Sequence, residues 1–147
     1  MFALTQDERD RRWKNTREEM GKRRLECLVL WGSSAFLGNV AANMRYLSNV
    51  MTDGYLIFPL ESDPTLITFL RMMDPTSWVP DRLSGHPKYS NAIVSKIKEH
   101  GLDRAKIGLV HRCATAHAPP SIRPDASEVR CGRSLWATLI VTGIVAP

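Results

Sequence analysis

The run Leu25-Glu26-Cys27-Leu28-Val29-Leu30-Trp31, stopped by Gly32-Ser33-Ser34, constrains this chain more than any other stretch. It is short, almost wholly apolar, and lacks the alternation of a strand with one wet face. A strand of that kind is buried on both sides, as parallel strands are, so its sheet needs cover above and below. The residues before it can supply one cover. Thr5-Gln6-Asp7-Glu8 reads as a capping box, with the Thr hydroxyl accepting from the backbone three residues on and Glu8 reaching back. Asp7, Glu8 and Asp10 stand near the positive end of the helix dipole, and Lys22, Arg23 and Arg24 near its negative end. Trp13, Thr16 and Met20 recur at helical spacing as a thin buried stripe, which predicts a helix over residues 6–24.

Further strands follow. Asp53-Gly54 is a turn signal, and Tyr55-Leu56-Ile57-Phe58-Pro59 and Thr65-Leu66-Ile67-Thr68-Phe69-Leu70 read as strands joined by a hairpin connector, Leu60 to Pro64. Residues 32–43 read as a loop. The stretch from Asp74 to Pro87 holds three prolines and reads as irregular. Ser90 to His100 carries Ile93, Val94 and Ile97 on one face, with Gly101 in the position after the cap, and reads as a second helix. Lys106-Ile107-Gly108-Leu109-Val110 is another short strand. Helix, strand, hairpin, helix, strand predicts an α/β domain with a mixed sheet flanked by helices. Its expected core is Leu28, Leu30, Ile57, Phe58, Leu66, Ile67, Ile93, Ile97 and Leu109.

At 147 residues the chain suits one domain, and 44% hydrophobic with 24% charged residues is ordinary for a globular protein. No apolar run reaches the roughly 20 residues of a membrane span. No secretory signal is read at the N-terminus, so a cytoplasmic protein is expected. The net charge of +5 invites a search for a nucleic-acid stripe. Eight of the 20 basic residues lie between Arg9 and Arg24, among or beside Asp7, Glu8, Asp10, Glu18 and Glu19. Interleaved acids and missing base-reading residues make that a solvated helix face, with no nucleic-acid partner expected.

Character changes after Val110. Lysine disappears beyond Lys106, and four of the nine prolines and two of the three cysteines fall in the last 37 residues. Leu135 to Ala146 is an apolar run for which the sequence offers no partner. Residues 111–147 therefore read as an atypical tail, either diverged or translated out of the ancestral frame, and contributing little to stability.

The first 110 residues resemble the N-terminal domain of the creatinase, prolidase and aminopeptidase P (Xaa-Pro peptidase) family. Glu8-Arg9 and Arg12 open a charged helix, and Leu25 to Leu30 resembles the first strand. Asn43-Met44-Arg45-Tyr46-Leu47-Ser48 resembles the family's Asn-x-Arg-Tyr-Leu-Thr/Ser motif. Gly54 to Pro59 and Pro64 to Ile67 resemble its hairpin, and His100-Gly101-Leu102 with Lys106 to Val110 the segment closing its sheet. The resemblance implies a ribonuclease H-like α/β domain without catalysis of its own. In such a protein it contributes dimer contacts and covers the substrate entrance. Catalysis there belongs to a C-terminal pita-bread domain holding two divalent metals on two Asp, one His and two Glu. That domain is expected to be missing here, since only Asp125 and Glu128 are acidic beyond Val110. No cofactor is therefore expected in this chain, and its expected partner is a second copy or the missing catalytic domain. The alternative is a fragment of a metal-dependent Xaa-Pro peptidase or amidinohydrolase, active only when its other half is supplied.

Four groups of residues are candidates for chemistry. Arg45 and Tyr46 are the candidate dimer- or substrate-facing pair, an Arg able to meet a carboxylate; the structural alternative has Arg45 tying a loop and Tyr46 packing. His86, His100, His111 and His117 have spacings that fit no ligand pair on a helix and read as surface residues. Gly32 to Gly38 follows a strand, yet lacks the P-loop's lysine and spacing, so nucleotide binding is the weakest reading. Cys27 reads as inert within its strand, while Cys113, beside His111 and Arg112, has no identifiable base.

Overall fold

The computed structural model describes residues 5–33, 42–69 and 74–110, together with the backbone of 138–142. Helix α1 (Gln6–Lys22) is followed by strand β1 (Cys27–Gly32), helix α2 (Ala42–Ser48), the hairpin β2 (Gly54–Pro59) and β3 (Thr65–Thr68), strand β4 (Asp81–Ser84), helix α3 (Tyr89–Glu99), and strands β5 (Lys106–Val110) and β6 (Thr138–Thr142). The strands form one mixed sheet in the order β4-β3-β2-β1-β5-β6. β1 runs parallel to β5 and antiparallel to β2, and β4 lies parallel to β3.

The unbroken apolar run of β1 has its explanation in the two faces of this sheet. Leu28 and Leu30 join Trp13, Met20, Met44, Leu47, Leu56, Phe58, Leu66 and Trp78 in a core beneath α1 and α2. Cys27 and Val29 point the other way, into a cluster with Ile57, Ile67, Ile107 and Ile97 of α3. Each of these four side chains is thus covered by one helical layer or the other. Seven of the expected core residues are buried; Ile93 and Leu109 are only half-buried, packed against the α3-side cluster.

Both long helices end in the same hydrogen-bonded device. After α1, Arg24 adopts the left-handed region (φ 55°), Leu25 N donates to Met20 O, and Arg24 N donates to Gly21 O. After α3, Gly101 (φ 68°) takes that place, with Leu102 N donating to Ile97 O and Gly101 N to Lys98 O. These are Schellman caps, each with an apolar residue folding back onto the last turn. The first cap stops α1 at Lys22, two residues short of the expected end at 24. At the other end Thr5 Oγ1 accepts from Glu8 N at 3.3 Å, as expected, but the Glu8 carboxylate does not reach back as a capping box requires and accepts from Arg11 and Arg12 instead.

Three expectations need correction. The loop read over 32–43 is cut short at both ends, because Gly32 belongs to β1 and Ala42 and Asn43 to α2; residues 34–41 lie outside the described segments. The proline-rich stretch 74–87 contains strand β4, which follows Pro80 at the sheet edge, where a missing N–H costs no ladder bond. The apolar run in the tail does have a partner: β6 pairs antiparallel with β5, from Val110 opposite Thr138 to Lys106 opposite Thr142. The rest of 111–147, with His111, Arg112, Cys113, His117 and Cys131, lies outside the described residues. Among the described residues no helix is long and apolar enough to cross a membrane.

Candidate functional site

The sequence directs attention to Arg45 and Tyr46, and both lie on α2. This helix has only seven residues, so tertiary contacts must hold it in place. Met44 and Leu47 anchor it in the core, and Gly32 at the end of β1 permits a close approach. A Cβ built on Gly32 would sit 2.9 Å from Met44 Cε and 3.1 Å from the carbonyl of Thr52. That packing gives Gly32 a structural reason to be glycine without any phosphate.

The carbonyls of the last turn, which a helix leaves unpaired, are met by donors from elsewhere in the fold. Arg12 Nη1 donates to Tyr46 O at 3.2 Å, Trp13 Nε1 to Leu47 O at 2.8 Å, and Trp78 N to Ser48 O at 2.9 Å. Ser48 Oγ donates back to Met44 O at 2.6 Å and accepts from Val50 N at 3.3 Å. Asn49, in the left-handed region (φ 62°), ends the helix and donates through Nδ2 to Thr76 O. A helix that short is thereby fixed in register against α1 and the segment leading to β4.

Arg12 is the centre of this junction. Its guanidinium carbon lies 4.7 Å from the Tyr46 ring centroid and 5.5 Å from that of Trp78. Glu8 Oε1 accepts from its Nε at 2.7 Å. Hydrogen bonds from Arg11 and then Arg12 hold the Glu8 carboxyl well below its usual range, at about 2. Tyr46 is therefore half-buried and packed against the α1-side core, whereas Arg45 is exposed. Arg45 Nη1 meets only Met51 Sδ, at 3.8 Å, and among the described residues it forms no ion pair. The two residues do not act as a pair: Tyr46 belongs to the fold, and Arg45 presents a cation beside the exposed Met51.

The histidines are not brought together. His86 precedes α3 and its ring sits edge-on to Phe69, while His100 caps the other end, with Nδ1 3.2 Å from Ser62 Oγ. An 11-residue helix separates them by about 16 Å. Among the described residues no group of three His, Cys, Asp or Glu side chains could hold a metal ion. Cys27 is fully buried, and desolvation pushes its thiol up to about 12, so it stays protonated and unreactive.

One polar cluster escaped the sequence reading. Lys96 of α3, with a side chain 11% exposed, lies 2.8 Å from both Asp81 Oδ2 and Glu99 Oε1. Thr65 Oγ1 donates to the same Asp81 oxygen at 2.8 Å. Burial pushes the Asp81 carboxyl up, but the bonds from Lys96 and Thr65 outweigh it and leave the group below its usual range. Asp81 and Glu99 in turn raise Lys96, which holds it as an ammonium without a free lone pair. The cluster thus ties the edge strand to α3 and offers no nucleophile. Only Lys96 and Glu99 are close in sequence; Thr65 and Asp81 come from other elements, so no local spacing announces the group.

No model of a known protein family matches the chain, and no curated protein matches it.

Proposed function

We propose that this chain is a non-catalytic N-terminal domain of the creatinase and Xaa-Pro peptidase type. It acts in the cytoplasm, through contacts with a second copy or with a catalytic domain, and shapes access to a metallopeptidase-like site that it does not itself contain. The observation that carries this reading is the order of the resembling segments. Asn43 to Ser48 falls on α2, and Gly54 to Pro59, Pro64 to Ile67 and Lys106 to Val110 fall on or beside β2, β3 and β5 of one mixed sheet. The exposed Arg45 supports a contact role, since a surface cation with no ion pair among the described residues can meet a carboxylate on a partner. The metal pair of such proteins would lie on the catalytic domain, and no residue here is assigned to it.

Sequencing the gene from codon 100 to well beyond codon 147, read in all frames, tests the proposal. A downstream frame carrying two Asp, one His and two Glu in pita-bread order supports it. Absence of any such frame, in this gene or a neighbouring one, overturns the role beside a catalytic domain.

A further inference from the structure

We draw no further inference here: the strongest candidate, the apolar groove of about 200 Å³ beside α1 floored by Met20, Leu25, Leu28 and Val110, carries nothing because nothing in the structure shows what covers it.

Discussion

The indole Nε1 of Trp13 donates a 2.8 Å hydrogen bond to the main-chain carbonyl of Leu47, joining the first helix to the last turn of the second across 34 positions. The same ring packs edge-on against Phe58, with centroids 5.8 Å apart. Replacing Trp13 with Phe keeps an aromatic ring but leaves the carbonyl unpaired in a buried place. That change should cost about 1–3 kcal/mol. Trp13→Ala also opens a cavity and should cost about 3–5 kcal/mol. Urea denaturation followed by circular dichroism gives both values, and a Trp13→Phe variant as stable as the unaltered protein would show that the hydrogen bond contributes nothing.

Arg24 occupies a left-handed position (φ 55°) that Gly101 occupies in the matching cap of α3. A residue with a Cβ is strained there by roughly 1–2 kcal/mol. Glycine gives back roughly 0.5–1 kcal/mol through the greater freedom of its unfolded chain. Because Arg24 is exposed, Arg24→Gly should stabilise the protein by the difference, about 0.5–1 kcal/mol. A lower urea midpoint for the variant would mean that its side chain makes a contact worth more than the strain.

These two residues show what the sequence makes legible. A helix start is written locally, in the Thr5 cap, and so is a helix stop that uses Gly101. A stop built on Arg24 is not, because no residue preference announces an arginine in that conformation. The hairpin and the doubly covered β1 were readable from apolar pattern alone. Strand β4 was hidden because an edge strand is held by its neighbour β3 and by Lys96 rather than by its own four residues. The candidate site divides in the same way. Arg45 and Tyr46 could be named from a motif, but their separation into exposed cation and packed ring depends on Arg12 and Trp78, distant in sequence and adjacent only in the fold.

Gly32 distinguishes a packing glycine from a phosphate loop. A methyl group there would meet the Met44 side chain, Cβ at 3.0 Å and Cε at 2.9 Å, and the Thr52 carbonyl at 3.1 Å. Met44 can shift its flexible end, but its Cβ and the backbone oxygen cannot easily follow. Gly32→Ala should therefore destabilise by about 1–3 kcal/mol through overpacking. Millimolar ATP or NAD should leave the melting temperature of the unaltered protein unchanged, and a rise would restore the nucleotide reading.

Acid should weaken the fold through four depressed carboxylates of the described residues, of which Glu19 is exposed, Asp74 is half-buried, and Glu8 and Asp81 brace the fold. Asp81 is lowered from its ordinary 3.8 by Lys96 and Thr65 despite burial, and Glu8 is lowered from 4.5 to about 2 by Arg11 and Arg12. A carboxyl depressed in the folded state stabilises it above the unfolded value, and that contribution is lost as pH falls through the folded one. Lys96 works in the opposite sense: raised from 10.5, its contribution is complete below that value and fades as pH rises past it. Stability from these groups should be flat between about pH 5 and 10 and fall on either side. Asp81→Asn leaves a nearly buried ammonium with Glu99 alone, whereas Lys96→Met leaves Asp81 its Thr65 bond and access to water. The first should be the more damaging, by about 1–2 kcal/mol against less than 1, since one partner is 40% exposed. Urea midpoints across this pH range would test it; a Glu8→Gln, Asp81→Asn double variant that kept the full acid slope would place the titration elsewhere.

Arg45 and Tyr46 should respond oppositely to substitution, and the contrast bears directly on the proposed role. Tyr46 packs on Arg12 and the core, so Tyr46→Ala should lower stability by about 2–4 kcal/mol, somewhat below a fully buried aromatic. Arg45 is exposed and, among the described residues, its side chain hydrogen-bonds Met51 alone; Arg45→Glu should change stability by less than about 0.5 kcal/mol. Its effect should be seen in association. Where Arg45 meets a carboxylate on a partner, charge reversal places two like charges together and weakens binding by tenfold or more. Sedimentation of the unaltered chain and of Arg45→Glu over a range of concentrations, with and without a pita-bread catalytic domain of the Xaa-Pro peptidase type, reads that directly. Loss of association with an unchanged urea midpoint assigns Arg45 to the contact. Identical sedimentation of both proteins in every mixture removes Arg45 from the contact.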